Sequence, residues 1–163
     1  PALTSLDAAV GTEDRPTPNA PCNGNRIYGV IPWVTLGLPE TDPWSRRFTY
    51  FASSSFSAPV PPGAQAAFTL ATLGNANIKD SASNSANIAS NIPAVVVSHG
   101  SSGAGAWQPN GTQLPGATGD ELENANSTLT FVSRTPGNNF DDLVTWIVPS
   151  ILMSKMVAAG RLP

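Results

Sequence analysis

The chain has 163 residues, only 12% of them charged, with a net charge of -3, one His and one Cys. That length fits a single domain over residues 1–163 built on one core. Eight Lys and Arg, with no cluster beyond the pair Arg46-Arg47, exclude a nucleic-acid surface, which needs a basic stripe; no window approaches the ~18 to 20 apolar residues of a membrane span.

Charge at about half the usual ~25% leaves Ser, Thr, Asn, Gly and Pro to solvate the surface, as expected of an exported protein. The sequence opens PALTSLDAAV, with no basic leader and no initiator Met, which leaves room for targeting information removed ahead of Pro1. Leu3, Leu6 and Val10 stand at helical spacing, so Pro1 to Gly11 predicts a short helix or helix end with Gly11 as its stop. Thr12 to Asn25 reads as loop and carries the lone Cys22 in RPTPNAPCNGN. With no second cysteine an internal disulfide is impossible; a lone thiol is most often an ordinary small residue, and in an exported chain the alternative is a partner cysteine on a missing segment or another subunit.

From Arg46, RRFTYFASSSFS predicts a strand with Phe48 and Tyr50 on one face and Arg47, Thr49 and Phe51 on the other. AAFTLATL predicts a second strand, with NIKD as its continuation, and SASNSANIASN an exposed loop. PAVVVSH, β-branched and closed by Gly100, is the clearest strand. Gly100 to Ser127 reads as a long loop holding Trp107 and the acidic group Asp120, Glu121 and Glu123, and loops of that length are commonly functional. STLTFVSR and DDLVTWI predict two more strands, and PSILMSKMVAAGRLP a helix with Pro149 in its first turn and Gly160 at its end. Strands in sequence with helices at the ends predict an α+β fold: an antiparallel sheet, a short N-terminal helix remnant, long loops and a C-terminal helix.

Ser98 and His99 are adjacent, and adjacent strand residues point to opposite sides, so a Ser-His catalytic pair is not expected. GSSGAG lacks the Lys and the setting of a phosphate loop and reads as a flexible turn. One His and one Cys leave zinc short of ligands. Asp141 and Asp142 are the candidate metal ligands, for calcium, since loop oxygens between Ser98 and Asp142 can complete its shell of six to eight. The alternative is that they cap or turn the chain into the last strand. On a regular strand the two could not line one pocket.

Three patches in order resemble a known family. DPWSRRFTY, Asp42 to Tyr50, resembles the D-P/A-W-G-x-x-[FY]-x-Y signature of type IV pilin-like proteins and type II secretion major pseudopilins; VVVSHGSSGAG resembles their strand and S-x-G-x-x-G turn, and FDDLVTW their closing element. GVIPWVTLGL and MVAAGRLP resemble a subgroup with a Cys-containing loop before the Asp-Pro-Trp motif. The resemblance implies a non-enzymatic structural subunit of an extracellular or periplasmic filament of a Gram-negative-type bacterium. Its partners would be other pilin-like subunits, with membrane contact only through a hydrophobic helix outside this sequence. It implies calcium near the last loop, and scaffold roles for Asp42, Pro43, Trp44 and Trp146, the two tryptophans being buried anchors. The chain departs from the pattern with Ser45 where Gly is usual, and with SHGSSG where the turn often carries Asp. A secreted adhesive module using the loop at 100–127 is the alternative.

Overall fold

The computed structural model describes residues 10–17 and 19–162; the helix expected over Pro1 to Gly11 therefore lies, apart from Val10 and Gly11, outside the described residues. The fold is α+β. A four-stranded sheet has the order β1-β2-β5-β7, and a three-stranded sheet the order β4-β3-β6. The first is antiparallel throughout: β1 (Tyr28–Val30), β2 (Thr49–Ala52), β5 (Ala94–Ser98) and β7 (Leu143–Trp146). In the second, β3 (Ala76–Lys79) pairs antiparallel with β4 (Ala89–Ile92) but parallel with β6 (Thr130–Val132), because the chain returns to β3 from the far side after a long excursion.

Alternation along the strands decides which residues meet. Phe51 of β2 and Val95 and Val97 of β5 face inward, where they join Ala76, Ile78, Ile92 and Phe131 of the other sheet in one core, with Val144 and Trp146 packed at its margin. The opposite face of the larger sheet carries Tyr50, Ala52, Ala94, Val96, Leu143 and Thr145. Ile31 and Trp33 cover part of it, in a cluster with Val30, Val10, Phe48 and Trp107. Thr49 and Arg47 are buried as well; Arg47 makes an ion pair at 2.8 Å with Glu40 and lies over the Trp33 ring.

Among the described residues four α-helices flank the sheets: α1 (Trp33–Leu36), α2 (Ser54–Ser57), α3 (Gly119–Ala125) and α4 (Pro149–Ala158). As expected from the sequence, α4 has Pro at its start, and Gly160 follows it in the left-handed region. Four expectations of local structure fail. RRFTYFASSSFS is strand only over Thr49–Ala52, and its Ser54–Ser57 is helical, as α2. AAFTLATL is turn, because Thr69 and Thr72 bond each other's backbone and hydroxyls and so compete with a sheet ladder; Phe68 packs on Phe56 instead. The loop expected over SASNSANIASN ends in β4. The loop at 100–127 is interrupted by α3, which touches β6.

Candidate functional site

The Asp-Pro-Trp turn is organised by a buried carboxylate. Asp42 Oδ1 accepts the backbone N–H groups of Trp44 and Arg46, each at 3.0 Å, and Oδ2 accepts the Ser98 hydroxyl at 2.6 Å. Pro43 is exposed at the corner of the turn. Ser45 holds φ 64°, the left-handed region that favours glycine. Trp44, expected in the core, is 40% exposed, because the turn aims its ring outward. There it walls an apolar groove of about 310 Å³ with Phe48, Val96 and Leu143. Trp146 faces inward but is half-buried at the core margin.

The GSSGAG turn is packed rather than flexible. Gly100 (φ 56°) and Gly103 (φ 65°) leave no room for a side chain: a Cβ would strike the Asp141 carbonyl at the first and the Arg46 guanidinium at the second. Asp141 closes this turn by accepting the Ser101 hydroxyl at 2.8 Å, the Ser102 N–H at 2.7 Å and the Ser102 hydroxyl at 2.8 Å. Partial burial pushes its carboxyl up, but those three bonds outweigh burial and hold it below the usual aspartate value. The three sequence patches thus meet in space.

Asp142 turns the other way, into the space between the sheets. Its Oδ2 accepts Asn124 Nδ2 at 2.8 Å, and its Oδ1 lies 3.5 Å from His99 Nδ1. His99 Nε2 is 2.8 Å from Thr49 Oγ1. Asn124 also donates to the Val132 carbonyl at 3.0 Å and accepts the Val132 N–H at 2.8 Å, while its own carbonyl accepts the Tyr28 hydroxyl at 2.8 Å. Burial pushes the Tyr28 hydroxyl well above the usual tyrosine range. Hydroxyl, imidazole and carboxylate stand in the order of a catalytic relay, but Thr49 and His99 are sealed from solvent, so no substrate reaches them. Ser98 and His99 point to opposite sides, as strand alternation requires.

The two aspartates nevertheless share a neighbour. They precede β7, where the backbone is not regular strand, and one oxygen each of Asp141, Asp142 and Glu121 lie within 4.8 Å of one another. Burial first, then the charges of Asp142 and Asp141, push the Glu121 carboxyl above its usual value. The three carboxylates form a group that could hold a cation, serine hydroxyls border Asp141, and Asp142 Oδ1 and His99 Nδ1, buried 3.5 Å apart, face each other. The guanidinium lining the same cleft, Arg134, is bound to Asp120 at 2.7 Å.

Comparison with protein-family models, with curated proteins and with solved structures gives no match to this chain. The site is accordingly read from its own geometry. Asn124 and the ligand-like position of Glu121 were hidden from the sequence because the segment reads as loop; their i, i+3 spacing becomes informative only on a helix. Cys22, in the stretch read as loop, is buried and free, and it lines a cavity of about 390 Å³ with Tyr50, Phe56 and Met156.

Proposed function

We propose that this chain is the globular domain of a pilin-like filament subunit, a structural protein that polymerises through an apolar helix and displays this domain. The observation that carries the reading is the outer face of the four-stranded sheet. Two apolar hollows open along it, one between Leu36, Tyr50, Ala52, Leu152 and Met156 and the other beside Trp44 and Leu143. Val10 packs against the cluster that holds Ile31 and Trp33 on that face, where an apolar helix would find cover. Among the described residues no helix is long and apolar enough to cross a membrane, and the helix would be a separate segment or chain.

The convergence of the Asp-Pro-Trp turn, the GSSGAG turn and the Asp141-Asp142 corner also supports a scaffold role, since each patch holds the next by hydrogen bonds. Calcium is the ion this reading assigns to Asp141 and Asp142. Bound there, it would supply the divalent charge that neutralises their carboxylates and would tie the turn at 99–103 to β7. The test is to shear surface appendages from cells producing the full-length protein and label them with antiserum against this domain. Labelling along filaments is the expected result; recovery only as soluble monomer overturns the proposal.

A further inference from the structure

We propose that Asn110 is a glycosylation site, whose side-chain nitrogen takes a sugar from a glycosyl diphosphate donor on a separate transferase. The inference needs the export that composition predicts, but neither the filament reading nor calcium. Asn-x-Ser/Thr, with x other than Pro, is the acceptor triplet for N-linked sugar, and the chain holds it at Asn110-Gly111-Thr112 and at Asn126-Ser127-Thr128. Transfer forms a bond from the asparagine Nδ2 to the anomeric carbon as the bond from that carbon to the diphosphate oxygen breaks. The diphosphate leaves with the electron pair, and the amide proton passes to a base of the transferase. An acceptor must therefore present a free Nδ2 on an accessible tip.

The two triplets differ in geometry. Asn110 stands at the tip of a hairpin closed by the bridge between Trp107 and Gln113, where the Gln108 N–H donates to the Thr112 carbonyl and the Gly111 N–H to the Gln108 carbonyl, each at 2.9 Å. Beneath the tip, the buried Arg47 donates from Nη2 to the Pro109 carbonyl at 3.0 Å. The turn is thus fixed to the core while Pro109, Asn110 and Thr112 stay exposed. Asn110 Oδ1 accepts both the N–H and the hydroxyl of Thr112, at 3.0 and 2.7 Å. Two donors on one atom fix which end of the amide is oxygen, and they draw charge from the amide, which eases loss of the Nδ2 proton. Nδ2 itself donates no hydrogen bond among the described residues. Asn126, in contrast, is half-buried where α3 ends, and the Thr128 hydroxyl donates to the Thr130 carbonyl at 3.3 Å instead of to the asparagine. Of the two triplets, the geometry selects Asn110.

The experiment is mass spectrometry of the full-length protein recovered from the cells that naturally produce it. Cleavage after Glu as well as after Lys and Arg separates the two triplets, because Glu121 and Glu123 lie between them. Fragmentation of each peptide then locates any sugar. The parent is compared with Asn110→Gln, Thr112→Ala, Thr112→Ser and Asn126→Gln made in the same cells. The parent, Thr112→Ser and Asn126→Gln should carry sugar on Asn110; Asn110→Gln and Thr112→Ala should lose it. A parent bare at Asn110, sugar carried on Asn126 instead, or sugar that survives Asn110→Gln, as an O-link to Thr112 would, each overturns the proposal and leaves the filament reading untouched.

Discussion

Asn124 donates from Nδ2 to Asp142 Oδ2 at 2.8 Å, and through this bond α3 is fastened to the corner that leads into β7. The same side chain satisfies the N–H and carbonyl of Val132 in β6. One amide therefore joins a helix and the edge strands of both sheets. Asn124→Ala would strand a buried carboxylate oxygen and two buried backbone groups, each costing about 1–3 kcal/mol when left unsatisfied. The expected loss is at least about 3 kcal/mol in urea unfolding. A loss below about 1 kcal/mol would show that water or rearrangement replaces the amide.

Ser45→Gly should stabilise the fold. A non-glycine residue in the left-handed region pays about 1–2 kcal/mol, and glycine returns part of that gain as chain entropy. A rise of up to about 1 kcal/mol is expected in chemical denaturation, while Ser45→Ala, which keeps the strain, should give no gain. Equal midpoints for the two variants would locate the effect in the side chain and not in the backbone.

The two tryptophans should differ. Trp146 packs on the core from β7, so its truncation should cost about 3 kcal/mol, the lower end for buried aromatics. Trp44 is exposed on the outer face, and Trp44→Ala should lie within about 1 kcal/mol of the parent. Its loss should instead weaken assembly of the full-length protein. Parallel melting curves and filament yields check both halves of this expectation.

Strand periodicity made much of the larger sheet legible. RRFTYFASSSFS alternates through Ala52, where β2 ends and α2 follows, and PAVVVS is β-branched because β5 is central. The Asp42 turn was legible too, since an Asp before Pro can accept the N–H groups that follow it. What was not legible depended on contacts distant in sequence. AAFTLATL has strand composition, yet two threonines 3 residues apart bond locally. The acidic stretch around Glu121 has loop composition, yet α3 is held by partners on β6 and before β7. Trp44 looked like an anchor because tryptophans usually are; only the direction of the turn shows that it faces outward.

Glu121 and Asp141 should respond to acid in opposite directions when no divalent cation is present. The Asp141 carboxyl is held below its unfolded value by the Ser101 and Ser102 bonds, against the upward push of burial. The stability it contributes is present above the unfolded value of about 3.9 and is lost as pH falls through the lower folded value. Glu121 is raised by burial and by its two acidic neighbours, so its charged form disfavours the fold. That penalty is present above its folded value and is relieved as pH falls toward the unfolded value of about 4.3. In chelator at pH 7, Glu121→Gln should therefore melt above the parent, and the gap should close on acidification toward about pH 4. Asp141→Asn should melt below the parent at pH 7, with the two converging only at still lower pH. The measurement is the melting temperature of the three proteins from pH 7 to pH 3. A Glu121→Gln protein less stable than the parent in chelator at pH 7 would mean that the glutamate is held by a favourable contact and is not repelled by the aspartates.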